Sequence, residues 1–188
     1  MKYACVNAVV VVLLAIPGHA QRFEQATPDG QALEDFDKRV KAYAALRDDL
    51  ERDGARPKES DHPQDIVAGE QALVAKIQAA RATAKRGDMF PPVIEQRFRA
   101  LLSPEMRGTR GQNTRGIIKD EGPGAGGFPF TVNGVYPKDQ PLGSVPANIL
   151  AVLPPLPENL EYRFIDRHLV LRDTRANLIL DYIPNAIS

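Results

Sequence analysis

The sequence predicts an α+β fold in which helices come first and a small antiparallel sheet comes last. Three observations predict it. Apolar residues recur every three or four positions from 31 to 102, they alternate every second position from 160 to 183, and a glycine-rich stretch poor in apolar side chains separates the two patterns.

The chain of 188 residues opens on Met1 to Ala20, which reads as a secretory signal peptide. Lys2 is its positive region, Ala8 to Ile16 its apolar run, and Gly18-His19-Ala20 places small residues at both recognition positions, so cleavage is expected between Ala20 and Gln21. The apolar run is too short to span a bilayer, and no membrane span is expected once the signal is gone. Cys5 is the one cysteine and precedes the apolar run, which argues against a lipid anchor. The mature chain is then without a thiol, which excludes disulfide staples, thiolate metal sites and cysteine nucleophiles. The expected location is the periplasm.

From about Gln31 to Asp53, Leu33, Phe36, Val40, Tyr43, Leu46 and Leu50 mark one face of a helix, supported by pairs such as Asp37 with Lys41. Gly54 and Pro57 stop it. A second helix is expected from about Pro63 to Arg86, with Asp61 as cap, Ile66, Leu73, Val74 and Ile77 on its buried face, and Gly87 closing its far end. The two form an antiparallel hairpin. A third short helix carrying Ile94, Phe98, Leu101 and Leu102 runs from Pro91-Pro92 to Ser103-Pro104 and completes a helical region over 21–104.

Residues 105–127 hold Gly108, Gly111, Gly116, Gly122, Gly124, Gly126 and Gly127, with Ile117 and Ile118 almost the only apolar side chains. The composition reads as a flexible Gly-rich linker. Its glycine run resembles a phosphate loop only superficially, because no Lys-Ser/Thr follows and Phe128-Pro129-Phe130 is extended.

The last part, 128–188, is expected to be a small module of its own. A short helix with Ser144 as cap carries Ile149, Leu150, Val152 and Leu153, and Pro154-Pro155-Leu156-Pro157 reads as a rigid spacer, with a ligand for a partner domain as the alternative. Three strands follow as a meander. If Asp166-Arg167 is the first turn, Phe164 lies opposite Leu169 and Tyr162 opposite Leu171, which puts these four on one face and leaves Arg172 to solvent. Strict alternation in the third strand sends Leu178, Leu180 and Tyr182 to one face and Ile179 and Ile183 to the other. The apolar face packs on the short helix.

The chain, with Phe36-Asp-Lys-Arg-Val-Lys-Ala-Tyr, Leu153-Pro-Pro-Leu-Pro, Glu161-Tyr-Arg-Phe, Leu169-Val-Leu-Arg-Asp and Ala176-Asn-Leu-Ile-Leu-Asp-Tyr-Ile, resembles an uncharacterised family of small exported bacterial proteins. Its final segment is also similar to the short C-terminal meander of exported proteobacterial proteins such as periplasmic nickel and cobalt homeostasis proteins, although the glycine usual in that hairpin turn is missing here. The resemblance implies export and a bacterial source and carries over no catalytic residue.

Chemistry-bearing residues are sparse. The 24 Lys and Arg balance 24 Asp and Glu, so no long-range field favours nucleic acid or anionic lipid. The basic clusters Arg81, Lys85, Arg86 and Arg107, Arg110, Arg115 read as solvated surface. His62 and His168 have no ligand partner at helical spacing, although Asp166 and Asp173 flank His168. Ser60, Ser103 and Ser144 sit at helix ends, without a nucleophile elbow. Asp173 and Asp181 are either a carboxylate pair in a cleft, as general acid/base work requires, or a turn aspartate and a solvent-facing strand position with Arg163 or Arg172 as cross-strand partner. No catalytic residue, cofactor or metal ligand is assigned, and His168, Asp173, Asp181 and Arg163 are the candidates if a site exists. The expected function is a non-catalytic binding or envelope-interaction protein whose partner is an unknown protein or envelope component. The alternatives are a carboxylate-dependent hydrolase and an accessory protein in periplasmic metal homeostasis, the latter without direct metal binding given so few His, Cys and Met.

Overall fold

The computed structural model describes residues 27–55, 62–123 and 127–187. The signal peptide with its Ala20/Gln21 junction, the Asp61 cap and Gly124 to Gly126 lie outside the described residues. The described chain has five α-helices and one three-stranded antiparallel sheet, an α+β fold.

Helix α1 spans Pro28–Leu50. Thr27 caps it by accepting from the Gly30 amide at 3.2 Å, and Pro28 fits the first turn, where no amide partner is needed. Its buried stripe is Ala32, Phe36, Val40, Tyr43 and Arg47, and the chain leaves it through a widened turn, Glu51–Ala55, in which Gly54 takes φ +87°. Helix α2 spans Pro63–Ala80 and ends earlier than its sequence pattern predicts. Leu73 and Ile77 are buried, whereas Ile66 in its first turns is exposed. Gly87 lies beyond the helix end and shapes the loop to the next element. Helix α3, Pro92–Glu105, buries Ile94, Phe98 and Leu102 and is the main helical partner of α1.

The segment expected as a linker holds a fourth helix, α4, at Gly108–Glu121. Its buried face is only Gly111, Thr114 and Ile118, spaced by three and four, so composition gives little sign of it. Gly111 is what permits the tight α3–α4 corner, since a Cβ there would overlap the Met106 carbonyl. Thr114 is tied to Asn148, whose amide donates to Glu105 at 2.9 Å. Helix α5 is the single turn Ala147–Leu150. Its N-cap is Pro146, and the Ser144 amide instead donates to Glu121.

Strands β1 (Leu160–Ile165), β2 (His168–Asp173) and β3 (Leu178–Ile183) form the meander in the order β1-β2-β3. Phe164 pairs with Leu169 and Tyr162 with Leu171, the register predicted from the Asp166-Arg167 turn. Asp166 makes the turn without glycine by taking φ +52°, a conformation Asp and Asn tolerate.

Strict alternation fails in β3. Leu171 pairs with Asp181 and Arg172 with Ile179, which leaves Leu180 as the extra residue of a β-bulge. Past the bulge the faces exchange. Leu178, Leu180 and Ile183 join the core shared with the helices, while Ile179 and Tyr182 turn to the opposite side. That opposite side is also covered. Residues 133–136 run along β3, with Asn133 N donating to Ile179 O at 2.7 Å and Tyr136 N to Asn177 O at 2.8 Å, and Phe128, Phe130 and Tyr136 pack on Val170 and Ile179. Arg172, expected in solvent, is therefore buried beneath Tyr136, its guanidinium 5.3 Å from the ring centroid.

The helical region and the C-terminal module share one core. Phe36, Phe90, Phe98 and Tyr162 stack edge and face at centroid distances of 4.8 to 6.5 Å, joining α1, the α2–α3 loop, α3 and β1.

Candidate functional site

The carboxylates of Asp173 and Asp181 both point from the sheet into the helical layer and are fully buried. Asp181 reaches that side because of the bulge. Its oxygens accept from the amides of Gly87, Met89 and Phe90 at 2.8 to 3.1 Å, and from its neighbour Tyr182 at 2.8 Å. The α2–α3 loop, bent by Gly87 at φ +95°, thus wraps its donors around one anion.

Asp173 closes the other end of the sheet. It accepts from the Tyr43 hydroxyl at 2.7 Å and from the amides of Arg175 and Ala176 at 2.7 and 3.0 Å, and the Arg47 guanidinium lies 3.6 Å away. Burial, reinforced by the neighbouring Asp173 charge and hydrogen bond, drives the Tyr43 hydroxyl far above the usual tyrosine range, so it stays a donor. Arg47 also donates to the Glu158 carbonyl and binds Asp48. Neither aspartate lines a surface cleft, and the solvent-facing position expected for Asp181 is not observed.

His168 and Arg163 stand elsewhere. The His168 Nδ1 accepts from the Asn185 amide at 3.1 Å, and its ring packs edge-on against Phe130 and Tyr182. Arg163 binds Glu161 at 2.6 Å and the Gly143 carbonyl at 3.0 Å. Burial alone would raise the Glu161 carboxyl, but the hydrogen bonds and charges of Arg163 and Arg172 outweigh it and hold the group below the usual carboxylate range. The four candidate residues do not converge on one cavity. Among the described residues no group of three or more His, Cys, Asp or Glu is placed to hold a metal ion.

A cleft of about 460 Å³ opens between the first turns of α2, the 136–142 loop and the β2–β3 turn. Sequence reasoning missed it, because its walls come from segments far apart in the chain. Exposed Ile66 and Leu142 face a polar wall of Arg172, Thr174, Arg175 and Asn177. Its charges are matched. Lys138 pairs with Glu70, Arg175 with Glu51, and Arg172 with Glu161 and the Asn177 side chain. Such a cleft can orient a polar ligand through hydrogen bonds.

No family model, curated protein or solved structure matches the chain. Among the described residues no helix is long and apolar enough to cross a membrane.

Proposed function

We propose that the chain is an exported periplasmic protein that works by binding, engaging another protein or an envelope component without turning over a substrate. The observation that carries this reading is the occupation of Asp173 and Asp181. A general acid or base must reach a substrate proton, and these carboxylates are enclosed and held by internal donors. The signal-like N-terminus supports export, and the resemblance to small exported bacterial proteins agrees with it. The open cleft beside α2 offers mixed apolar and hydrogen-bonding surface of the kind that non-obligate partners use.

Site-specific photocrosslinking in a bacterial host tests the reading. A crosslinking residue at Leu142 in the cleft is expected to give a discrete adduct in the periplasmic fraction, while one at exposed Lys38 on the far surface of α1 gives none. Absence of an adduct at cleft positions, together with turnover of a chromogenic ester or glycoside that Asp181→Asn abolishes, would overturn it in favour of a hydrolase. Recovery of the protein only as uncleaved precursor in membranes would overturn the exported form.

A further inference from the structure

We propose that a second, smaller pocket between α4 and the β1–β2 turn binds a free medium-chain alkyl carboxylate, with the tail on an apolar floor and the head among cations at the rim. The proposal rests on the binding reading above and gives it a ligand class. The pocket measures about 280 Å³. Ile118, Ile187 and Pro123 are buried residues that form its floor. Arg115 and Lys119, four residues apart on one face of α4, and Arg167 from the turn stand around the opening, with Asp166 as the one acid lining it.

What separates this pocket from the larger cleft is the state of its charges. In the cleft each cation faces a carboxylate. Here Lys119 and Arg167 have no ion-pair partner among the described residues, while Arg115 is already engaged, donating to the Met106 carbonyl at 2.7 Å. Positive charge beside an apolar floor complements a molecule that carries both an anion and a hydrocarbon chain. Size narrows the choice. At about 30 Å³ for a water-sized group, the volume suits a tail of roughly eight to ten carbons and is too small for a lipid with two long chains. Asp166 disfavours a second negative charge on the ligand, which favours a carboxylate over a phosphate dianion.

The test is a calorimetric titration of the purified protein with decanoate below its micelle concentration, beside butyrate, decanol and decyltrimethylammonium. Decanoate is expected to bind, butyrate to bind at least tenfold more weakly, and both uncharged and cationic analogues to lose about five- to tenfold, since each surface charge contributes modestly. The double variant Lys119→Gln/Arg167→Gln alters exposed side chains only and should keep the melting temperature while removing the preference for decanoate over decanol. Lys138→Gln in the larger cleft should leave decanoate affinity unchanged. Equal affinity for decanol and decanoate, or decanoate binding untouched by the double variant, would overturn the proposal. If Lys138→Gln abolishes decanoate binding instead, the pocket assignment fails while the binding reading stands.

Discussion

Asp181 has the side chain most easily mistaken for chemistry in this molecule, and its surroundings make it a structural anchor. Four amides converge on one carboxylate, and two of its donors, Met89 and Phe90, are themselves buried. Asparagine has the same shape but one acceptor oxygen, and its amide would face donors it cannot satisfy. Asp181→Asn should therefore cost about 2 to 4 kcal/mol of stability, measured by urea denaturation. A loss under about 0.5 kcal/mol would show that the loop does not depend on the charge. Glu161 makes the complementary case at the outer face of the sheet. Its folded value lies below its unfolded one, so its ionised form adds stability above roughly pH 4.3, and that contribution disappears as pH falls through the folded value. The stability difference between the parent and Glu161→Gln should be present at pH 7 and shrink as pH falls below the ordinary carboxylate range, as read from denaturation midpoints down into acid. A difference independent of pH would mean that the two arginines do not act on the charge.

At the scale of elements, helix α4 and the bulge in β3 are where local pattern and structure part. Glycine content argues for a linker, yet three small or apolar residues at helical spacing, Gly111, Thr114 and Ile118, suffice once α3 and Asn148 are there to receive them. Tertiary contact outweighs a poor propensity. Two glycines in this helix give opposite predictions. Gly111→Ala forces a Cβ into the Met106 backbone and should cost about 2 kcal/mol or more, whereas Gly116→Ala meets open space and should stabilise by roughly 0.5 to 1 kcal/mol, as alanine does in a helix interior. Thermal unfolding of both variants checks this, and two neutral results would return the segment to a linker. The meander was legible in advance because Tyr162, Phe164, Leu169 and Leu171 can share a face in only one register. The bulge was not, since Leu178-Ile-Leu-Asp-Tyr-Ile fits strict alternation equally well. One inserted residue decides whether Asp181 meets water or the helices, and so the reading of the candidate carboxylates turned on it. Where glycine was absent from turns, the signal lay in Asn and Asp: Asn133, Asn159, Asp166, Asn177 and Asn185 are the non-glycine residues with positive φ among those described.

At the scale of the whole molecule, the helical stripes and the sheet face were each readable, but how they meet was not, because nothing local states which apolar surface covers which. Phe36, Phe98 and Tyr162 look like members of three separate amphipathic elements, and Val170 looks like an outward position until the 128–136 segment covers it. The structure makes one core of the first three and sets Val170 in a second cluster on the other face of the sheet. A chain built this way should unfold as a unit, since removing either half would expose the apolar face of the other. Phe98 is the most direct probe, as its ring contacts Phe36, Phe90 and Tyr162 with centroids 4.8 to 6.0 Å away. Phe98→Ala should cost about 3 to 5 kcal/mol, and the loss should appear equally in far-ultraviolet circular dichroism, dominated by the helices, and in near-ultraviolet signals from the tyrosines of the C-terminal half. Coincident transitions that shift together are the expected result for both parent and variant. A sheet signal that keeps its midpoint while the helical one falls would mean that the C-terminal meander folds alone and that the shared core contributes little to it.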